Sequence, residues 1–390
     1  MIPAVMPVYS RYDIAFDKGE GMYLFATDGR RYLDFGAGIA VNALGHCHPH
    51  LVAALKAQAE KLWHCSNLYR VPGQEKVAAR LVAHSFADTV FFCNSGAEAM
   101  EGVIKLVRKY HDETGHPERY RIIVAQGAFH GRTLATLAAG GQEKHLKGFA
   151  PIVDGFDRVA YGNLNELRAA IGPETAGILV EPIQGEGGIV PASLDYLRAL
   201  RVIADEFGIL LAMDEVQTGN GRSGKLYAHE WAGIAPDVMG TAKGLGGGFP
   251  MGAILATEKA AVGMTAGAHG STFGGNPLAM AATDAALDIL LSDGFFDHVQ
   301  RMSALLWDTL GKLVEAHPKV LIDRRGAGLL QGLKCKVPNT ALSKALLANG
   351  LLVIGAGDNV TRLAPPLIVE PAHIAEAAAI IDAACKELAS

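Results

Sequence analysis

Apolar residues recur along this chain with two different periods, and the periods alternate. Between Gly21 and Phe35, apolar positions such as Met22, Leu24 and Tyr32 flank Asp28-Gly29, a strong turn dipeptide, so the segment is expected to form a hairpin. Leu51, Leu55, Ala59 and Leu62 then keep helical spacing, as do Val77 and Leu81 within Gln74 to His84. The run TVFFCNS from Thr89 to Ser95 is short and continuously apolar, the pattern of a strand buried in a parallel sheet. It leads through Gly96, Ala97, Glu98 and Ala99 into a helix reaching about Tyr110. A strand that turns into a helix over small residues leaves free amides at the helix start, which suit an anion, although an ordinary tight turn has the same look.

Strands are expected next over Arg121 to Gln126 and Gly177 to Glu181, a helix over Leu194 to Phe207, and strands over Ile209 to Met213 and Val238 to Thr241. This alternation predicts an α/β fold with a mainly parallel sheet covered by helices, and binding groups gathered at the carboxyl ends of its strands. Ser95, Phe129, Glu186, Asp214 and Lys243 all fall at or just beyond such ends. From about Thr283 the pattern shifts to long helices (Ala285 to Leu291, Val299 to Ala316), then GLLQGLKCKV, a helix over Leu342 to Ala348, a strand over Leu351 to Ile354 and a closing helix over Ala372 to Leu388. The expected organisation is an N-terminal segment, residues 1–50, packing with a small α/β domain, residues 283–390, around a large domain, residues 51–282.

Composition narrows the class. The 390 residues are 50% hydrophobic and 19% charged, which suits a well-buried two-lobed protein and excludes a disordered one. A net charge of -5 with mixed signs offers no basic surface for nucleic acid. The five cysteines are scattered without a C-x-x-C pair, as expected of reduced thiols. MIPAVMPVYSRYD has no basic start followed by an apolar core, and no long apolar stretch is uninterrupted, so a soluble cytoplasmic enzyme is the expectation. His46, Cys47, His48 and His50 crowd together, but Pro49 and their spacing suit a turn better than tetrahedral ligation, so no metal site is expected.

The chemistry concentrates between Ile209 and Pro250. An apolar strand delivers Asp214 at its end, and Lys243 stands alone in GTAKGLGGG, where desolvation disfavours its charged form. A carboxylate that can hold a protonated ring nitrogen, with an amine that can form a Schiff base, outlines a pyridoxal 5′-phosphate (PLP) site. A strand ending in Asp-Glu also resembles the metal-binding strand of an ATPase. That reading requires G-x-x-x-x-G-K-[ST] upstream, and no such segment exists in the chain.

Six motifs in order then carry a resemblance: NSGAEA (Asn94 to Ala99), AFHGRT (Ala128 to Thr133), VEPIQGEGG (Val180 to Gly188), DEVQTGNGRSG (Asp214 to Gly224), AKGLGGGFP (Ala242 to Pro250) and GSTFGGNP (Gly270 to Pro277). Together they resemble the class III, ornithine-type, PLP-dependent aminotransferases over nearly the whole chain. The resemblance implies a fold-type-I large domain with a smaller α/β domain, acting as a homodimer. Lys243 matches the family's Schiff-base lysine and Asp214 its pyridinium partner. Gly96 and Ala97 would offer amides to the cofactor phosphate, and Thr272 would reach it from the neighbouring subunit. Phe129 matches the aromatic residue that stacks on the ring, while Val216 and Gln217 would meet the ring and its phenolic oxygen.

On the substrate side, Arg132 resembles the residue that holds the donor's α-carboxylate and the distal carboxylate of 2-oxoglutarate. Arg362, in TRLAPP, resembles the one that takes the oxoacid's α-carboxylate, with Glu186 as the switch that neutralises it and Ser271 touching substrate. Ile39 stands where ornithine-specific members carry a tyrosine; Tyr9 and Arg11 are candidates for the same mouth. The resemblance runs closest to members acting on N-acetylornithine. It implies transfer of that donor's terminal amino group to 2-oxoglutarate, a step of arginine biosynthesis. Relatives for succinylornithine, succinyl-diaminopimelate, ornithine or 4-aminobutyrate, and a PLP aminomutase, remain open at this point.

Overall fold

In the computed structural model, which describes residues 2–389, one seven-stranded sheet organises the centre of the molecule. Its order is Thr89–Cys93, Gly252–Ala256, Val238–Ala242, Leu210–Asp214, Thr175–Val180, Arg121–Ala125, Phe156–Val159. The last five of these run parallel, and Gly252–Ala256 is antiparallel to both of its neighbours. The sequence Thr175–Val180 is buried at every position, as is Leu210–Asp214, because helices cover both faces of the sheet. Thr89–Cys93 departs from the expectation of a buried parallel strand. It lies at the sheet edge, pairs only with Gly252–Ala256 and does so antiparallel, so its first residues stay partly open to solvent.

Helix Gly96–Glu113 follows that edge strand directly. Ser95 caps it by accepting a hydrogen bond from the Glu98 amide at 3.2 Å, and Glu98 Oε2 folds back to accept from the Asn94 amide at 2.6 Å. The helix buries Met100, Val103, Ile104 and Val107 against the sheet. The cap therefore fixes where the first turn, Gly96 and Ala97, meets the strand ends.

Two further four-stranded sheets sit apart from the central one. Phe16–Glu20, Tyr23–Ala26 and Arg31–Asp34 form an antiparallel hairpin sheet, with the turn at Asp28-Gly29, and Leu351–Leu352 joins Arg31–Asp34 in parallel. Leu321–Ala327, Leu330–Cys335, Val360–Leu363 and Ile354–Ala356 make an antiparallel sheet that carries Arg362. The single strand expected over Leu351 to Ile354 is therefore two strands in two sheets. Leu33, Phe35 and Leu44 share one apolar core with Leu306, Leu333, Leu346 and Ile381, so the N-terminal segment packs with the C-terminal part of the chain.

Helix Pro277–Leu290 joins the lobes: Met280 and Leu287 belong to the core under the central sheet, Ala286 and Leu290 to the other core. The expected boundary after residue 282 falls inside this helix. The histidine-rich turn resolves into separate contacts, His46 to Asp34 at 2.8 Å and His50 to Asp288 at 2.9 Å. Among the described residues no group of acidic, His or Cys side chains is placed to hold a metal ion, and no helix is long and apolar enough to cross a membrane.

Candidate active site

Three adjacent strands of the central sheet end on the same cavity, of about 240 Å³. Leu210–Asp214 delivers Asp214, Thr175–Val180 is followed by Glu181, and Val238–Ala242 is followed by Lys243. Parallel strands put their carboxyl ends on one edge, so residues far apart in sequence arrive side by side. Lys243 itself has φ of 47°, a left-handed conformation unfavourable for a side chain bearing Cβ. Asn220 holds this bend, donating from Nδ2 to Thr241 Oγ1 at 2.9 Å and to the Ala242 carbonyl at 3.0 Å.

The Lys243 ammonium is disfavoured by burial and by the nearby charge of Arg362, against the pull of Glu186, Asp214 and Glu181, and its pKa falls to about 8. Near pH 7 roughly a tenth of the amine is then neutral, far more than for a lysine of ordinary pKa. Asp214 is fixed from both oxygens: Oδ1 accepts from the Val216 amide at 3.0 Å and Oδ2 meets His130 Nδ1 at 2.7 Å. Burial opposes a charge on His130, but the hydrogen bond and charge of Asp214, with the charge of Glu181, raise its pKa overall. Its second nitrogen, Nε2, is buried and has no hydrogen-bond partner among the described residues.

Glu181 is the third charged group of this floor. Burial drives its carboxyl well above the usual carboxylate range and Asp214 adds to the effect, with His130 pulling the other way. Its oxygens accept from the Phe129 amide at 3.0 Å and the Gly185 amide at 3.4 Å. It therefore ties the loop bearing Phe129 to the turn bearing Glu186.

The rim is built differently. Arg132 is exposed, lines the cavity and lies 5.7 Å from the Phe129 ring centre; among the described residues it forms no ion pair. Arg362 is only 1% exposed. Its Nη1 donates to Glu186 Oε1 at 2.7 Å and to Gln217 Oε1 at 3.0 Å, while its Nε is buried with no partner among the described residues. Burial works against charge on Glu186, but Arg362, Lys243 and Lys144 hold its pKa below the usual range. Glu186 sits in the turn of the small hairpin made by Ile183–Gln184 and Val190–Pro191.

Of the residues singled out in the sequence, Gly96, Ala97, Phe129, Arg132, Glu186, Asp214, Val216, Gln217 and Lys243 line this cavity. Arg362 reaches it through Glu186 and Gln217. Ser271 and Thr272 do not line it: Ser271 Oγ accepts from the Gly274 amide at 3.0 Å and from Asn94 Nδ2 at 3.3 Å, and Thr272 is exposed. Ile39 is 43% exposed in a left-handed turn and does not line the cavity, nor do Tyr9 and Arg11. His130 and Glu181 were not singled out. The signal for Glu181 is available in the sequence: it directly follows a buried apolar strand, as Asp214 closes one.

A family model described as "Aminotransferase class-III" matches residues 5–385. The chain is a class III aminotransferase. It is 59% identical over 388 residues to acetylornithine aminotransferase 1 of Bradyrhizobium diazoefficiens, a match spanning 100% of this chain and 96% of the relative. Among solved structures it resembles the N-acetylornithine aminotransferase of Stenotrophomonas maltophilia K279a (TM-score 0.85, 36% identity, 97% of each chain). It also resembles an ornithine aminotransferase of Toxoplasma gondii in which PLP partly occupies the active site (TM-score 0.93, 30% identity, 97% of this chain and 92% of that one).

The cofactor of this class III aminotransferase is PLP. The cavity suits it. Gly96 and Gly131 let the backbone pack closely at this cavity, since a Cβ would come within 2.7 Å of Val216 at the first and 2.8 Å of Thr136 at the second. The floor offers a partly neutral amine and an anchored carboxylate, and the helix from Gly96 turns its free amides toward the same cavity.

Proposed function

We propose that this aminotransferase moves the terminal amino group of N2-acetyl-L-ornithine to 2-oxoglutarate, giving N-acetyl-L-glutamate 5-semialdehyde and L-glutamate. The observation that carries this reading is the pair of unlike arginines at one cavity: Arg132 is exposed and forms no ion pair among the described residues, and Arg362 is buried and closed off by Glu186. Two carboxylate-bearing substrates that share a pocket but differ in charge at the reacting end require such a pair. The high identity to acetylornithine aminotransferases along the whole chain supports the choice of donor.

Bound PLP supplies storage of the amino group between half-reactions and delocalisation of the electron pair left when a proton departs. Lys243 Nζ would hold the cofactor covalently and would supply the amine that carries that proton, a task suited to an amine whose pKa is lowered to about 8. Asp214, oriented by His130 and the Val216 amide, keeps the ring nitrogen protonated. Phe129 and Val216 would contact the ring, Gly96 and Ala97 would present amides to the phosphate, and Gln217 would meet the phenolic oxygen. Thr272 and Ser271 serve from the loop near residue 272, Thr272 across a homodimer interface. Its exposure in the single chain accords with that role.

Arg132 binds the donor's α-carboxylate and the distal carboxylate of 2-oxoglutarate. Glu186 neutralises Arg362 while the donor's carbon chain lies beside it, and yields when the oxoacid brings its own α-carboxylate. Ile39 at the mouth leaves room for an acylated amine. This activity belongs to arginine biosynthesis in the cytoplasm. The test is glutamate formation from 2-oxoglutarate with N-acetylornithine, N-succinylornithine, ornithine, N-succinyl-diaminopimelate and 4-aminobutyrate in parallel. N-acetylornithine is expected to give the highest kcat/KM; a higher value for any other donor would overturn the assignment.

A further inference from the structure

Arg362 is held by two acceptors of different kind, and the difference has a consequence. Both bonds are donated by the same nitrogen, Nη1, one to the carboxylate of Glu186 at 2.7 Å and one to the side-chain amide oxygen of Gln217 at 3.0 Å. An incoming carboxylate replaces Glu186 charge for charge, because two anions beside one guanidinium repel each other and leave a buried site with an uncompensated negative charge. The neutral oxygen of Gln217 brings no such conflict and can stay bonded throughout.

The backbone is shaped to keep Gln217 where it is. Gln217 is 8% exposed and its side chain lies against Gly185, and a methyl group at Gly185 would overlap Gln217 Oε1 and press on its amide carbon. Gly185 has no left-handed φ, and the atoms that a Cβ there would meet are those of the Gln217 amide. Gly185 also precedes Glu186, so the same turn supplies the exchangeable partner and the seat of the second one.

We propose that Gln217 is a positioning residue that anchors Arg362 through both half-reactions, while Glu186 alone is exchanged for the oxoacid carboxylate. Gln217 thereby sets how well the site discriminates a carboxylate-bearing acceptor from the donor. This rests on the arginine roles proposed above. The amide keeps the guanidinium plane aimed when Glu186 leaves; without it, a long side chain with free rotamers must be ordered at the moment the oxoacid binds.

The test is binding of glutarate, a five-carbon dicarboxylate with no amino or oxo group and hence unreactive, to the PLP-loaded enzyme by titration calorimetry. Gln217→Leu is expected to weaken glutarate about tenfold, the loss of one hydrogen bond to a charged group. Gly185→Ala should weaken it similarly by displacing the amide, and Gln217→Glu should weaken it more, because a fixed carboxylate then occupies the arginine permanently. In steady state, Gln217→Leu should raise KM for 2-oxoglutarate by a larger factor than KM for the donor. A role confined to the cofactor ring or to folding would move both alike. Wild-type glutarate affinity in Gln217→Leu, with affinity lost in Arg362→Ala, would overturn the anchor and leave the arginine roles standing. Unchanged affinity in Arg362→Ala would overturn both.

Discussion

Asp214, Glu181 and Lys243 reach the cavity from the ends of three adjacent strands of one sheet, whereas Arg362 comes from a separate sheet and meets Glu186 across 176 residues of sequence. The floor is closed: its charges face one another, are deeply buried and perturb one another's protonation. The rim is divided, with one arginine in solvent and the other under a carboxylate and an amide. Chemistry common to every substrate belongs on the rigid part, where strand ends fix each group. Discrimination between substrates belongs where a partner can be exchanged.

If the floor carries the chemistry, its substitutions should be severe and blind to substrate. Lys243→Ala should retain PLP without a covalent link and lose turnover by roughly 10³-fold or more, the scale of general acid–base catalysis, equally for donor and oxoacid. Borohydride reduction followed by mass analysis of the peptide containing residue 243 reports the link; activity near wild type would refute the assignment. Asp214→Asn should reduce both half-reactions by roughly 10²-fold, the scale of one misplaced electrostatic contact. Because the bond and charge of Asp214 raise the His130 pKa, the substitution should also lower it, which NMR titration of the labelled ring would show.

Rim substitutions should instead split the two half-reactions. Glu186→Ala leaves Arg362 without its carboxylate, so the donor half should slow by roughly tenfold or more, since a buried guanidinium then stands unpaired. The oxoacid half, in which substrate supplies the anion, should change less. Stopped-flow absorbance of each half separately distinguishes the two.

The mildest expected effect concerns pH. Burial and Arg362 lower the Lys243 pKa from its ordinary value of 10.5 to about 8, so the neutral amine is gained as pH rises through 8 and not through 10.5. Capture of PLP by the apoenzyme should therefore rise about tenfold per pH unit below 8 and level off above it. A midpoint near 10 would show that the floor does not perturb the amine.

The same division explains what was legible in the sequence. Asp214 and Lys243 stood out because an acid and an amine interrupt apolar strand ends, a local signal that the parallel sheet converts into proximity. Gly252–Ala256 was not foreseen: GAILA is short, follows a glycine-rich turn and resembles any buried segment. Phe16–Glu20 was missed because FDKGE is polar and mostly exposed, so it carries no apolar alternation. Leu351 to Ile354 read as one strand since periodicity says nothing of a change of partner at Val353. Arg362 could be placed only by resemblance to a family, because no spacing within TRLAPP points toward Glu186. Its bond to Gln217 was not visible at all, since it depends on the packing of three separate segments.

The unequal arginines are tested most directly by single-turnover rates of the two half-reactions, with N-acetylornithine and then with 2-oxoglutarate, in the wild-type enzyme and in Arg132→Ala and Arg362→Ala. Arg132→Ala should slow both halves, and Arg362→Ala should slow the 2-oxoglutarate half by roughly 30-fold or more while leaving the donor half within a few-fold of wild type. Equal losses of the two halves in Arg362→Ala would show that the buried arginine does not tell the substrates apart.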